Sequence, residues 1–404
     1  MSPPLTQLSK AGLPLPDAEA LKHSKRLTDR IGAEIENAGG SISFRRYMEM
    51  VLYEPGLGYY SAGARKFGKE GDFVTAPEWS SLFSYCMATQ CAEILQRLDG
   101  GVILELGAGS GAMACDIMRE LSRIGALPDE YWILETSADL RERQRRLIQS
   151  RTPDYTERVY WLDELPESRF RGAIVANEVL DAQPVHRIEL RHGQIHELHV
   201  AWRAGRFIWK RTPPSPELDA VAARLLSGIA DALPEGYRTE INATLHPWLA
   251  SLADVLEAGV VLLVDYGYPR HEYYHPQRID GTLQCHYRHR VHSDPFFHPG
   301  LQDISAAVDF TAVVEAGLAA GLNLNGFTSQ AHFLMGCGLT GILDRLGGPD
   351  HRERIELARQ ARILTLPGEM GEQIKTMALG RNAPAPLRGF ATADLRHRLQ
   401  GPTG

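Results

Sequence analysis

Five places in this 404-residue chain set acids, amides or bare glycines directly after a short apolar run. Val102-Ile103-Leu104 leads into Glu105, and then Gly107, Gly109 and Gly111 alternate with small residues. Tyr131–Glu135 ends in an acid and is followed by Thr136 and Ser137. Val159–Leu162 leads to Asp163, and Gly172–Ala176 leads to Asn177-Glu178, with Asp181 three residues on. Gly259–Val264 leads to Asp265-Tyr266. A short apolar run reads as a strand buried in a parallel sheet. Open parallel sheets hold their ligands beyond the carboxyl ends of the strands. The five ends therefore define one polar edge, with bare main chain at one point and carboxylates at the others.

The glycines let the chain reverse and let a ligand approach the backbone. Ala112–Ile124 follows with helical spacing, so the free N–H groups of a helix start lie beside the turn. Two ligand classes fit. A dinucleotide needs G-x-G-x-x-G/A, onto which Gly107-Ala108-Gly109-Ser110-Gly111-Ala112 can be forced. S-adenosylmethionine (SAM) fits the other way: the stretch Glu105–Gly111 resembles the first motif of Rossmann-like SAM methyltransferases, an acid followed by G-x-G-x-G. Charge favours SAM. Glu105 would repel a pyrophosphate, whereas an ammonium and a sulfonium tolerate a carboxylate. On this reading Gly107, Ala108, Gly109 and Gly111 admit the methionine part. Glu105 either contacts the ligand or holds backbone N–H groups of the turn, and the two roles are compatible. Glu135 lies 135 − 107 = 28 residues after Gly107, which suits an acid for ribose hydroxyls. Thr136 and Ser137 extend that contact, and Ser137 also fits the cap of a helix over Ala138–Ser150. Asp163 is placed to accept from the adenine amino group; a plain surface acid is the alternative.

Asn177-Glu178-Val179-Leu180-Asp181-Ala182-Gln183-Pro184 carries the second half of the chemistry. Glu178 and Asp181, three apart, share one side of a turn or helix. Two such carboxylates grip a guanidinium in bidentate fashion. An arginine is almost always protonated, so a transferase must hold it and free a lone pair on one nitrogen. Glu178 and Asp181, with Asp265 and Tyr266, are assigned to the acceptor and Asn177 to the cofactor. A capping acid beside a surface acid is the plain alternative. Six histidines crowd residues 271–298, but none pairs at a zinc spacing and Cys285 stands alone, so no metal is assigned. That segment reads as a substrate-covering loop or a solvated surface.

These ends need a sheet to carry them. Strands alternating with helices predict a doubly wound, mostly parallel α/β sheet. Helices are expected at Asp17–Ala38, Phe44–Leu52 and Ser80–Leu98. Val185–Val200 and Arg206–Arg211 read as antiparallel strands. Helices at Glu217–Ala232 and Leu245–Glu257 flank a short strand at Tyr237–Ile241. Residues 268–305 read as one long irregular loop, and 306–379 as helices around a strand near Asn323–Phe327. The domain reading is an N-terminal region 1–98, a core of 99–184 with 258–404, and an inserted α+β subdomain 185–257. With 43 Lys and Arg against 50 Asp and Glu, the net charge is −7. That charge gives no basis for a broad nucleic-acid or membrane surface. Five cysteines without a C-x-x-C pair favour free thiols in a reducing compartment. No run is long enough to span a bilayer, and the N-terminus lacks a signal-peptide core. The expectation is a cytoplasmic bacterial protein, with the mitochondrial matrix as the alternative for a eukaryotic source and an oligomer left open.

The ordered set Tyr53-Glu54-Pro55 with Gly58-Tyr59-Tyr60, Gly71-Asp72-Phe73-Val74-Thr75-Ala76-Pro77-Glu78, Glu105–Gly111, Glu135-Thr136-Ser137, Asn177–Ala182, Asp265-Tyr266-Gly267-Tyr268, Gly281-Thr282-Leu283 and Gln302-Asp303-Ile304 resembles the MidA-like SAM-dependent methyltransferases. The resemblance covers residues 27–379. It departs at Trp79, where Ile is expected, and at Ala108, where Pro is frequent. It implies a Rossmann-like methyltransferase fold, SAM as donor, and arginine of a protein as acceptor. The mitochondrial member of the family methylates a core subunit of respiratory complex I during assembly. Such enzymes commonly fold an N-terminal element over the cofactor, which implies cofactor contacts for Phe73 and Thr75.

Overall fold

The computed structural model describes residues 13–61, 75–348 and 350–400. The chain divides into two compact units. One comprises Thr75–Asp181, Thr244–Tyr273 and Ala307–Gly404; the other comprises Met1–Val74, Ala182–Ala243 and Tyr274–Ala306.

The first unit is built on the sheet that the apolar runs predict. Its strands are β1 (Val102–Leu106), β2 (Glu130–Leu134), β3 (Val159–Leu162), β4 (Phe170–Asn177), β5 (Leu256–Tyr268), β6 (Asn323–Ser329) and β7 (Ile374–Arg381). They lie in the order β6-β7-β5-β4-β1-β2-β3, and Val308–Asp309 pairs beside the end of β5. Strands β1 to β5 run parallel to one another, and β7 runs antiparallel between β5 and β6. The chain winds outward from β1 to β3, then returns to β4 on the other side of β1. The switch point therefore falls between β1 and β4, where such sheets open a crevice for ligands.

Alternate residues feed two cores. Ile103, Ile133, Ala173, Val175, Val260, Leu262 and Val264 face α1 (Ser81–Leu98), α2 (Ala112–Arg123) and Ile148 of α3 (Ala138–Arg151). Leu104, Leu106, Ile174, Val261 and Leu263 face α4 (Leu245–Val255) and α5 (Phe310–Ala319). Burial on both faces explains why β7 reads wrongly in the sequence. Its apolar run carries no alternation, so it passes for helix until the antiparallel pairing with β5 is seen.

The second unit is antiparallel. Ile42–Ser43, Gln194–Arg203, His186–Arg191 and Arg238–Ile241 lie side by side, with Arg206–Thr212 paired to Gln194–Arg203. The stretch expected as a single strand over 185–200 is thus a hairpin. It turns at His192 and Gly193, whose φ values of 50° and 71° suit a tight turn. The helix Ala18–Asn37 is capped by Asp17, which accepts from the Ala20 N–H at 2.8 Å, and buries Leu27, Ile31 and Ile35. The long loop expected over 268–305 contains three paired strands, Gln284–Tyr287, Arg290–His292 and Asp303–Ser305. Unit boundaries also fall away from the sequence-based domain limits. α1 and α4 belong to the parallel-sheet unit because their apolar faces complete its two cores. Residues 274–306 join the antiparallel unit.

Gly172 in β4 sits at φ +147°, and a Cβ there would lie 1.9 Å from the carbonyl oxygen of Val102 in β1. Neither backbone can yield without breaking the ladder that aligns β1 with β4. Gly172→Ala is expected to lower the unfolding free energy by about 3 kcal/mol, measured by urea titration. A loss below about 0.5 kcal/mol, the range of an ordinary surface change, would contradict this.

Candidate active site

β1 runs into Gly107, whose N–H donates to the Leu134 carbonyl at 3.1 Å and ties the turn to β2. Gly107, Gly109 and Gly111 adopt φ of +63°, +54° and +86°, a region that side chains with a Cβ rarely occupy. The Gly111 N–H donates to the Ala108 carbonyl at 2.8 Å, and α2 starts there. Two of the glycines also face side chains that the sequence does not reveal as neighbours. A Cβ on Gly107 would meet Val179 Cγ2 at 3.4 Å, and one on Gly111 would meet Gln144 Cγ at 3.3 Å. The turn is therefore wedged between the loop after β4 and helix α3.

Glu105 is buried, and its Oε2 accepts from the Tyr131 hydroxyl at 2.7 Å. Among the described residues that phenol, not the amides of the turn, is its hydrogen-bond partner. Burial pushes the carboxyl up to about 7; the Tyr131 donor opposes the rise and the nearby Glu135 charge adds to it. Glu135 is also buried. Its Oε1 accepts from the Ser137 N–H at 2.9 Å and its Oε2 from Gln144 Nε2 at 3.2 Å. Burial raises this carboxyl as well, against those donors. Thr136 is exposed, and the Ser137 hydroxyl caps α3 by accepting from the Leu140 N–H at 3.4 Å. Asp163 is a surface residue with its side chain 85% exposed. Its carboxylate is held by Arg141, which also donates to the Glu135 and Leu162 carbonyls and so staples the ends of β2 and β3. That engagement holds the Asp163 carboxyl below its usual range.

On the other side of the switch point, the Glu178 N–H donates to the Val264 carbonyl at 2.8 Å, with φ at +51°. Asp265 is buried at the end of β5. Its Oδ2 accepts from the N–H groups of Val179 (3.2 Å), Leu180 (2.8 Å) and Asp181 (3.3 Å), and its Oδ1 from the Tyr266 N–H at 2.8 Å. One carboxylate thus folds the whole 178–181 loop. Burial and the Glu178 charge raise its pKa, while the four amides favour the ionised form. The sequence reading assigns Asp265 to the acceptor; the structure spends it on the loop. The Tyr266 hydroxyl is pushed well above its ordinary range by burial and by the charges of Glu178, Asp181 and Asp265. Asn177 Nδ2 donates to Glu178 Oε1 at 3.3 Å, and Asn177 Oδ1 is buried with no partner among the described residues.

Phe73 lies outside the described residues. Thr75 precedes a short helix, Ala76–Trp79, that packs against α1 and α2. The sequence reading missed Tyr131, Gln144 and Trp161. A signal for Gln144 is present: Leu140, Gln144 and Ile148 form one buried stripe of α3, interrupted by an amide. Among the described residues no group of three or more His, Cys, Asp or Glu side chains is arranged to hold a metal ion, and no helix is long and apolar enough to cross a membrane.

Bare main chain at Gly107–Gly111, an unmatched acceptor on Asn177 and a carboxylate at Glu135 form a donor and acceptor set that fits an amino-acid head and a ribose diol. The fold and this edge define a Rossmann-like SAM-dependent methyltransferase. Residues 86–328 match the family of S-adenosyl-L-methionine-dependent methyltransferases, and the chain belongs to that family, in its MidA-like branch. A Burkholderia thailandensis protein bound to S-adenosyl-homocysteine (SAH) is 43% identical, with a TM-score of 0.91, covering 95% of this chain and 99% of that one. The Drosophila melanogaster mitochondrial protein arginine methyltransferase NDUFAF7 homolog is 26% identical over 84% of this chain and 82% of its own length. Its Danio rerio counterpart is 27% identical over 89% and 91%. The cofactor is SAM, and the dinucleotide reading of the turn is set aside.

Because folding raises the Glu105 pKa from 4.5 to about 7, the native state keeps a proton that the unfolded chain loses. The contribution of this group to stability therefore falls as pH rises from about 4.5 towards 7. Glu105→Gln removes that slope. Between those limits the unfolding free energy of the variant, relative to the unsubstituted chain, is expected to gain about 3 kcal/mol. Urea curves that stay parallel across this range would contradict the assignment.

Proposed function

We propose that this chain transfers a methyl group from SAM to an arginine side chain of a protein, and that Glu178 and Asp181 hold the guanidinium. One observation carries the reading. Asp265 accepts from the amides of Val179, Leu180 and Asp181 and so fixes the loop after β4 that carries Glu178 and Asp181, while Val179 of the same loop lies over the Gly107 position of the glycine turn. Acceptor acids and donor turn thus share one edge of the sheet. The relatives named as protein arginine methyltransferases support the choice of acceptor.

When bound, SAM supplies an activated methyl on a sulfonium. The chain does the rest. Gly107, Ala108, Gly109 and Gly111 leave room for its methionine part, Asn177 Oδ1 accepts from its ammonium, and Glu135 receives the ribose hydroxyls with the Thr136–Ser137 main chain at its side. Glu105 sets a buried carboxyl beneath the turn. Asp163 reaches the adenine edge only by exchanging its contact with Arg141. The family resemblance adds cofactor contacts from Phe73 and Thr75. Glu178 and Asp181 fix the guanidinium by two charge-assisted contacts and receive the proton that its nitrogen gives up. Tyr266 stays a neutral phenol and orients the acceptor as a hydrogen-bond donor. Much of the rate in such a displacement comes from positioning. A respiratory complex I subunit is the substrate to which the family resemblance points. The five free, buried cysteines suit a reducing compartment such as the bacterial cytoplasm.

Mass spectrometry of host proteins with and without the chain should reveal arginines that lose a mark of about 14 Da, one added CH2. Glu178→Gln and Asp181→Asn should each lower transfer at least about 100-fold while SAH binding persists. Full biological activity in Glu178→Gln would instead mark a non-catalytic assembly factor. Gly109→Val, a β-branched residue at φ +54°, should abolish SAH binding in a folded chain. Unchanged affinity there would show that the cofactor lies elsewhere.

A further inference from the structure

Gln144 is fully buried in α3, and each polar atom of its amide is committed. Its Oε1 accepts from Trp161 Nε1 at 2.9 Å. Its Nε2 donates to the Gly109 carbonyl at 3.0 Å and to Glu135 Oε2 at 3.2 Å. An indole N–H can only donate, so the Gln144 atom facing Trp161 must be oxygen. The two amide hydrogens then have to point at Gly109 and Glu135. Gln144 Cγ also fills the space above Gly111, where a Cβ would lie 3.3 Å away.

From this geometry we infer that Trp161 and Gln144 form a positioning relay for the cofactor. Trp161 sets the orientation of the amide, and the amide locks the middle of the glycine turn to the ribose carboxylate. The inference rests on the glycine turn and Glu135 holding the cofactor. Gln144 pins one oxygen of Glu135 while the Ser137 N–H pins the other, which leaves the remaining lone pairs at fixed positions for a diol. The relay also explains why a polar residue interrupts the stripe of Leu140 and Ile148. An apolar residue would fill the volume but leave the Trp161 N–H and the Gly109 carbonyl unmatched. Arg145, whose guanidinium lies 4.9 Å from the Trp161 ring centroid, holds the indole from outside.

Calorimetric titration with SAH tests this in four variants. Gln144→Met keeps the volume and removes the bonds; its SAH affinity should fall about tenfold or more. Trp161→Phe should weaken binding in the unsubstituted background, yet by less than about twofold when Gln144 is already Met, because the two act in series. Gln144→Glu supplies a readout that mere packing would not move. Its new carboxyl can replace the amide only when protonated, so SAH should bind about tenfold tighter at pH 5.5 than at pH 8.5, relative to the parent protein. Equal losses for Trp161→Phe in both backgrounds, or affinities within about twofold of the parent for Gln144→Met, would overturn the relay. Gly109→Val, run in parallel, separates the two levels. If it abolishes binding while the relay variants do not, the site stands and the relay falls; if it leaves binding intact, the site reading itself fails.

Discussion

The buried carboxylate of Asp265 is the contact on which the working edge depends. It closes β5, gathers the amides of Val179, Leu180 and Asp181, and takes a fourth from Tyr266. A carboxylate in so dry a place is costly unless its lone pairs are filled, and the loop after β4 fills them. The loop is not free to choose another path, because other paths would leave that charge unmatched. Its fixed path carries Glu178 and Asp181 at the end of β4 and sets Val179 against the glycine turn. The glycine turn and the 178–181 loop are therefore held beside one another by one buried carboxyl group.

The donor side follows a similar rule. Polar groups there are buried in matched pairs: Glu105 with Tyr131, Glu135 with Gln144, Gln144 with Trp161. Each pair joins neighbouring strands or a strand and a helix. The edge is stiffened by the groups that give it its charge. Burial raises the carboxyls of Glu105 and Glu135 against the donors each of them has. A cationic ligand would relieve that imbalance, which gives a physical reason for such an edge to prefer a sulfonium carrier over an anionic dinucleotide.

Much of this was legible in the sequence, because strand ends advertise themselves. Apolar runs that stop at Glu105, Glu135, Asn177 and Asp265 carry the parallel strands and their polar edge. The pattern fails where burial removes periodicity, as in β7, and where a hairpin hides in a stretch read as continuous, as at His192-Gly193. Side-chain partnership was not legible. Spacing cannot say that Asp265 turns towards amides, that Asp163 is taken by Arg141, or that Val179 and Gln144 lie over Gly107 and Gly111. Such facts arise from residues 22 or 86 positions apart in the chain. Only the buried glutamine in the α3 stripe left a trace that a closer reading would have caught.

The most direct test of this account is a crystal structure of the protein grown with SAH. The sulfur should lie between Gly107 and the Glu178–Asp181 loop, with the ribose hydroxyls on Glu135. A carrier bound away from the junction of β1 and β4, or one with Glu178 and Asp181 both turned from its sulfur, would contradict the account.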